Sequence, residues 1–286
     1  MSEDRRTIVV GVDSSRQSDQ ALDWARGVAG ANDRIVAVHG WDVPIVTSYD
    51  MVVVVDPREV EVAAKQGLDD LLERVGDDRL EAVGSQGAAG RVLVEQGELA
   101  DVIVVGHRGS SRAGLLLGST ANYVLHHTSR PVVVVRGDEV GPPRRVIVGV
   151  DDHDLATDHE NPSVRAVRWA WSLPGVEEVV LTHAWFIPAL AMGRMSSYAL
   201  DSDDMDAAAL EVVGHVLAAA GTPPSGVAVV PEALRGTPGF AMIEASRTAD
   251  LVVVGTRGRG GILELLLGST SAELAAHSHC PVAVIR

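Results

Sequence analysis

Three kinds of residue are scarce in this chain of 286 residues. Cys280 is the single cysteine, which excludes an internal disulfide framework and fits a reducing cytoplasm. Aromatic residues make up only 3%, so the core built from 46% hydrophobic residues must be aliphatic. Only one of the 24 lysine and arginine residues is a lysine, Lys65, and it lies far from every glycine-rich segment. No apolar run approaches the roughly 20 residues that a membrane-spanning helix needs.

The charge balance excludes a further class of partner. The formal net charge is −15, whereas nucleic acids and anionic membrane surfaces select for basic patches. We therefore expect neither a nucleic acid nor a membrane as partner. The residues before Thr7 contain no apolar signal segment, so the expected location is the cytoplasm.

Three familiar signatures are missing as well. There is no Gly-x-x-x-x-Gly-Lys-Ser/Thr segment, which excludes a P-loop NTPase. The residues that follow the first strand, Asp13–Arg16, lack the Gly-x-Gly-x-x-Gly pattern of dinucleotide-binding domains. The Gly-x-Ser-x-Gly elbow of α/β-hydrolases is absent too.

The chain does contain a segment that occurs twice. Residues 102–120 read VIVVGHRGSSRAGLLLGST, and residues 251–270 read LVVVGTRGRGGILELLLGST. Each copy is an apolar β-branched run followed by a glycine loop, three leucines and Gly-Ser-Thr, and each leads to a closing strand that begins with proline. A strand, glycine loop, helix and strand in this order have the composition needed to wrap a phosphate chain. The duplication predicts a nucleotide-binding protein.

The repeat unit is a whole domain. Asp13 and Asp151, which end the first strand of each half, are 138 residues apart (151 − 13). Gly106 and Gly255, the first glycines of the two loops, are 149 residues apart (255 − 106). Such intervals are too long for a solenoid repeat. The predicted division is an N-terminal domain over residues 1–137, a polar, proline-containing linker over 138–144 and a C-terminal domain over 145–286.

The pattern within each half predicts the fold class. Strand-like and helix-like segments alternate, and strands such as Thr7–Val12 and Val146–Val150 are continuous Val/Ile runs. Continuous runs indicate strands that are buried on both faces. We predict two α/β domains in tandem, each a doubly wound, five-stranded parallel sheet of the Rossmann-like kind. Ligands of such sheets bind at the carboxyl ends of the strands.

The candidate binding residues fall at those ends. Asp13 and Asp151 offer carboxylates that suit sugar hydroxyls or an adenine edge, and Arg108 and Arg257 can add a charge-assisted bond to phosphate. The loop glycines, which permit positive φ and let backbone N–H groups approach anionic oxygens, are Gly106, Gly109, Gly255 and Gly258. The residues that open the next helix towards the same pocket are Gly118, Ser119, Thr120, Gly268, Ser269 and Thr270. Glycines after a strand often make only tight turns, but two copies coupled to a strand-end Asp favour phosphate binding.

At these residues the chain resembles the universal stress protein family, in its tandem two-domain form. Members share Gly, two residues, Gly, nine residues and Gly-Ser or Gly-Thr, and those with this loop commonly bind ATP. The second half fits in full, whereas the first has only eight residues between Gly109 and Gly118. The resemblance implies an adenine nucleotide alpha-hydrolase-like fold, ATP with Mg as cofactor and a homodimer. The adenosine contacts that it implies are Gly11, Val12, Asp13, Gly40, Gly149, Val150, Asp151 and Ala184.

Three functions remain open at this point. No base, nucleophile or metal triad is duplicated alongside the loop, which favours an ATP-binding regulator or sensor of stress or metabolic state. A slow ATP hydrolase or nucleotidyl-transfer enzyme of the same fold is the alternative. A nucleotide-free structural stress factor is the third.

The two halves differ enough to predict unequal sites. The first loop is one residue shorter, and the second half carries the insert Asp152–Asn161, which is either a solvated acidic loop or a source of metal ligands. We expect two nucleotides per chain with distinguishable affinities in a calorimetric titration. Two identical sites would contradict this prediction, and so would a filled first site beside an empty second one.

Overall fold

The computed structural model describes residues 5–43, 45–48, 51–54, 56–109, 117–137, 141–151, 161–187, 202–256 and 267–286. The chain divides into two compact units, Met1–Val135 and Arg136–Arg286. Each unit is an α/β structure built on a parallel sheet, as the alternating pattern predicts.

The first unit has the following elements. The strands of its main sheet are β1 (Thr7–Gly11), β2 (Arg34–Trp41), β5 (Leu80–Gln86), β6 (Val102–Gly106) and β7 (Val132–Val135). A separate antiparallel hairpin consists of β3 (Ile45–Ser48) and β4 (Met51–Val54). The helices are α1 (Arg16–Val28), α2 (Pro57–Val75), α3 (Ala89–Gln96) and α4 (Ser119–His127).

The second unit repeats this plan. Its strands are β8 (Arg145–Gly149), β9 (Glu178–Trp185), β10 (Ala228–Arg235), β11 (Leu251–Gly255) and β12 (Val282–Ile285). Its helices are α5 (Pro162–Trp171), α6 (Ser202–Ala220), α7 (Pro238–Ala245) and α8 (Ser269–His277), with a 3₁₀ turn at Ser246–Thr248.

Within the described residues, both sheets have the same strand order. The first runs β5-β2-β1-β6-β7 and the second runs β10-β9-β8-β11-β12, and every pair is parallel. In the first sheet the chain adds strands on one side of β1 (β2, then β5) before it adds strands on the other side (β6, then β7), so the strand order reverses between β1 and β6. In the second sheet it reverses between β8 and β11. The crossovers on either side of such a point leave a crevice at the carboxyl ends of the strands. The described ends of the predicted loops, Gly106 and Gly109 with Gly118 in the first unit and Gly255 with Gly268 in the second, lie at these two crevices.

Local sequence sets where several helices begin. Asp56 accepts a hydrogen bond from the N–H of Arg58 and is followed by Pro57, whose fixed φ suits the first turn of α2. Asn161 and Pro162 start α5 in the same way, with the Asn161 side chain accepting the N–H of Ser163 at 2.8 Å.

The core is aliphatic, as the scarcity of aromatic residues predicts. Val10 and Ile103 on neighbouring strands are fully buried, and Trp24 is the large aromatic exception in the described first unit. Cys280 is buried as well, and burial raises the pKa of its thiol to about 11, as expected for a core residue. Among the described helices, none is long and apolar enough to cross a bilayer.

An ion-pair network lies beside the start of β5 in the first unit, at the end of the sheet opposite the crevice. Asp77, in the turn between α2 and β5, accepts hydrogen bonds from Arg79 at 2.8 and 3.0 Å and from Arg26 of α1 at 3.1 Å. Arg79 also donates to the carbonyl of Ala29, which follows α1, at 2.7 Å. The network therefore ties two helices and a strand together. The hydrogen bonds from Arg79 and Arg26 hold the pKa of Asp77 well below its ordinary value.

We expect Asp77→Asn to lower the free energy of unfolding of the first unit by about 1–2 kcal/mol at pH 7, since the partly exposed guanidinium groups lose a charged acceptor. Because the folded-state pKa is lowered, the carboxylate contributes its full stability above the unfolded-state value near 4. This contribution falls progressively below that value and is lost as the pH passes through the lower folded-state pKa. Urea unfolding at pH 7 and at pH 3 measures both effects.

The exposed Asp69 of α2 provides the control, and Asp69→Asn should leave the free energy of unfolding unchanged. An Asp77→Asn variant that lost as much stability between pH 7 and pH 3 as the original protein would contradict the assignment.

Candidate functional site

A cavity of about 830 Å³ opens at the carboxyl ends of β8, β9 and β11 in the second unit. It lies at the point where the strand order reverses, and the starts of α5 and α8 and the inner side of α6 complete its wall. The predicted site residues in its lining are Gly149, Val150, Asp151, Ala184, Gly255, Gly268, Ser269 and Thr270. Two further predicted residues, Arg257 and Gly258, lie outside the described part of the chain.

The start of α8 gives the cavity a polar side. Gly268 precedes the helix and provides no side-chain cap. The first i→i−4 hydrogen bond of the helix runs from the N–H of Ala272 to the carbonyl of Gly268 at 2.9 Å, so the N–H groups of Ser269 and Thr270 have no acceptor within the helix. Such groups, together with the positive end of the helix dipole, favour an anion. Both residues line the cavity and add hydroxyl groups.

Close approach of the backbone explains the glycines of this loop. A β-carbon built on Gly268 would lie 2.9 Å from the carbonyl oxygen of Thr256, which also accepts the Gly268 N–H at 3.0 Å. A β-carbon on Gly255 would lie 2.7 Å from Cβ of Pro162. Either contact would force the backbone apart.

Glycine permits positive φ, but the described loop glycines do not use it. Among the loop glycines that the structure describes, Gly106, Gly109 and Gly255 have no φ in the left-handed range. Each instead lacks the room for a β-carbon, since the nearest atom would lie between 2.5 and 2.8 Å away. Glycine is required here by the helix or side chain that faces it and not by an unusual backbone angle.

Two strand-end residues form the floor of the cavity. The N–H of Asp151 donates to Oγ of Ser163 at 2.9 Å, which ties the end of β8 to α5. Nδ1 of His183 lies 2.8 Å from the carbonyl oxygen of Val150, so this nitrogen carries the proton and donates it. The remaining ring nitrogen, Nε2, is an acceptor in the neutral side chain, and His183 is part of the lining.

Helix α6 gives the cavity an apolar side, which the sequence analysis missed. Met205, Ala208, Ala209 and Val212 all line the cavity, at the spacing i, i+3, i+4, i+7 of one helix face. Trp185, the last residue of β9, continues this wall. The helical spacing is visible in the sequence, but such a stripe ordinarily indicates core packing. It identifies a pocket wall only when the fold leaves space in front of it.

The corresponding loop of the first unit gathers its predicted residues in a similar way. A β-carbon on Gly109 would lie 2.5 Å from Oδ2 of Asp13, and the N–H of Gly118 donates to the carbonyl of His107 at 2.7 Å. Oδ1 of Asp13 accepts the N–H of Ser15 at 3.1 Å and its hydroxyl at 2.5 Å. Asp13, Gly109 and Gly118 therefore lie together, with one carboxylate oxygen engaged locally.

The other predicted residues of the first unit have varied environments. Ser119 and Thr120 open α4, which has no side-chain cap. Arg108 is exposed, and no ion pair involves it in the part of the chain that the structure describes.

Helix α3 restricts two predicted glycines of this unit. A β-carbon on Gly40 would lie 2.6 Å from Cα of Ala89, and one on Gly11 would lie 2.8 Å from Leu93. Helix packing is thus sufficient to require glycine at both. Val12 joins the neighbouring strand end, since its N–H donates to Val38 and its carbonyl accepts from His39.

A metal ion would have few protein ligands here. Across the described ranges, no group of three or more His, Cys, Asp or Glu side chains is placed to hold a metal. Asp151 contributes one carboxylate to the cavity wall. One or two carboxylates fit an Mg²⁺ ion that arrives on substrate phosphates and keeps several waters. The predicted metal-competent insert, residues 152–160, lies outside the described residues.

The chain is similar to known proteins over nearly its whole length. The sequence model of the universal stress protein family matches residues 4–136 and again residues 143–286. A universal stress protein of Mycolicibacterium smegmatis is 31% identical over 296 residues, which cover 98% of this chain and 96% of the relative. One of Mycobacterium tuberculosis is 29% identical over 298 residues, with the same coverage.

Solved structures support the fold. The crystal structure of a universal stress protein from Archaeoglobus fulgidus aligns with a TM-score of 0.65 at 20% identity and covers 98% of this chain and 96% of its own. Two successive matches of the family model account for nearly the whole sequence. The chain therefore belongs to the universal stress protein family, in its tandem two-domain form.

Proposed function

We propose that the second unit of this protein binds ATP together with Mg²⁺, and that the protein is a regulator or sensor of stress or metabolic state. The observation that carries the proposal is the division of the 830 Å³ cavity into two sides. One side presents hydroxyls and helix N–H groups that have no acceptor within α8, and the other presents the apolar face of α6. A nucleotide has the same division between its phosphates and its base.

The phosphates would be held mainly by neutral donors. In the described lining of the cavity, Ser269 and Thr270 offer N–H and O–H groups, and there is no arginine or lysine. A triphosphate carries several negative charges, so a bound Mg²⁺ supplies the countercharge that these residues do not. The carboxylate of Asp151 suits either that ion or the ribose hydroxyls.

The enzyme alternative has less support. Proton transfer requires a side chain within hydrogen-bond reach of the attacking water. Asp151 and His183 are the titratable side chains in the described lining, so a base would have to be Asp151, which the proposal assigns to Mg²⁺ or the ribose, or Nε2 of His183. Incubation with labelled ATP separates the two functions. Turnover well above a protein-free blank, abolished by Asp151→Asn, would favour a slow hydrolase.

The cytoplasmic location and the homodimer belong to the same proposal. The single buried cysteine fits a reducing compartment, and the family resemblance implies a dimer. Light scattering during size-exclusion chromatography measures the mass directly, and a monomer at all concentrations would remove the dimer from the proposal.

Mass spectrometry of the small molecules released on denaturation is the first experiment. Recovery of ATP from freshly purified protein would support binding. Recovery of no nucleotide, combined with no heat on titration with Mg-ATP, would favour the structural stress factor instead.

Gly268→Ala should weaken ATP binding by about tenfold or more. The added methyl group meets the Thr256 carbonyl at 2.9 Å, so the start of α8 must move away from the phosphates. Loss of one hydrogen bond to a charged group costs roughly 1.5–3 kcal/mol, which corresponds to that factor. Isothermal titration calorimetry with Mg-ATP measures the change.

Gly214→Ala is the matched control, because a β-carbon at Gly214 in α6 would meet no atom within 4 Å. This variant should bind ATP normally and be equally stable or slightly more stable. Equal ATP affinity in the Gly268→Ala and Gly214→Ala variants would contradict the phosphate assignment.

A further inference from the structure

Three side chains from three elements meet beside the apolar wall of the second cavity. Nε1 of Trp185 donates to Oδ1 of Asp206 at 2.8 Å, and Asp206 lies in the second turn of α6. Arg235 donates to both carboxylate oxygens of Asp206 from the end of β10. Its guanidinium carbon lies 5.9 Å from the centre of the Trp185 ring, within the range of a cation–π contact. We call these three residues the tryptophan clamp.

The strand register makes the tryptophan clamp possible. Trp185 and Arg235 end adjacent strands and are paired with each other in the sheet, so their side chains emerge side by side. Asp206 then joins α6 to both strand ends. The hydrogen bonds from Arg235 and Trp185 favour the charged carboxylate and lower the pKa of Asp206.

The first unit has no equivalent clamp among its described residues. Trp41 ends β2 as Trp185 ends β9, but its partner in the register is Gln86, in place of Arg235. The fifth residue of α2 is Glu61, whereas the fifth residue of α6 is Asp206. Glu61 is exposed, and no described ion pair involves it. Both units therefore have a tryptophan at this strand end, but among the described residues only the second unit has the Asp206–Arg235 pair that contacts it.

We propose that the tryptophan clamp positions the base-binding side of the second pocket. This inference rests on the proposed nucleotide function. The clamp fixes α6, and with it Met205 and Val212, at a set distance from the strand ends.

An apolar wall beside an open cavity tends to collapse, because contact between apolar surfaces removes them from water. The three-way hydrogen bonding opposes that movement. It also occupies the indole N–H, so Trp185 meets a ligand as an apolar surface and not as a donor. The expected ligand group is a planar base such as adenine, recognised by shape and dispersion.

The test measures the binding of the base and the binding of the phosphates with different ligands. We compare adenosine, Mg-ATP and inorganic tripolyphosphate by calorimetry on the full-length chain. Asp206→Ala should raise the Kd of adenosine and of Mg-ATP at the second site by the same factor, about tenfold, and leave the Kd of tripolyphosphate unchanged. The second site is the binding event that Gly268→Ala weakens.

Asp206→Asn and Glu61→Ala complete the set. Asp206→Asn keeps an acceptor for the indole but removes the charge, so we expect a rise of about threefold for adenosine. Glu61→Ala alters the matching position of the first unit and should change no Kd at the second site. Circular dichroism melting confirms that each variant is folded before titration.

The outcomes distinguish this inference from the proposed function. Adenosine and ATP affinities unchanged in Asp206→Ala, with wild-type binding intact, would overturn the clamp alone. An equal loss for tripolyphosphate would also overturn it, because a general structural defect acts on every ligand. Absence of ATP and adenosine binding in the wild type would overturn the proposed function and the clamp together.

Discussion

The parallel arrangement of the strands is the constraint on which the other features depend. All strand ends of one kind lie at one edge of a parallel sheet, and each crossover must cover a face of it. From β1, and likewise from β8, one crossover leads to the strand on one side and a later crossover leads to the strand on the other side. Each sheet therefore has one point where the two crossovers separate and leave a crevice. The described loop glycines and the strand-end aspartates lie at that opening, and in the second unit the apolar face of α6 does so as well. Residues far apart in the sequence thereby form one pocket.

The two units use one topology for different local chemistry. In each unit a histidine on the second strand contacts the end of the first strand: Nδ1 of His39 and of His183 lies 2.8 Å from the carbonyl oxygen of the residue that follows β1 or β8. Beyond that shared frame the units diverge. Gly40 is pressed against α3, whereas the second unit carries Ala184 at the equivalent place. The two units share the histidine contacts that join their strand ends, and they differ in the residues at the predicted pocket.

The sequence predicted the central strands and the position of the site, and it predicted the outer strands less well. Central strands such as Val102–Gly106 are continuous apolar runs because both faces are buried. The outer strand β5 mixes buried and exposed residues, so only Leu80–Val83 resembles a strand locally, and its extension to Gln86 depends on pairing with β2. The hairpin of β3 and β4 was not predicted. Close contacts of the loop glycines were not visible either, because their partners come from other elements of the fold.

The outer described strand of the second sheet, β10, contains a proline near its centre. Pro231 lies within β10 and is paired with Leu181 of β9, yet the parallel ladder continues without a break from Ala228 to Arg235. The N–H that proline lacks is therefore missing from the outward row, where an incoming strand would seek a donor. Among the described strands, β10 is the outermost of its sheet, and an unpaired strand edge can associate with another chain. A proline at the centre of such an edge opposes that pairing because it removes a donor. The strand whose last residue contacts Trp185 therefore also carries a feature that works against edge-to-edge association.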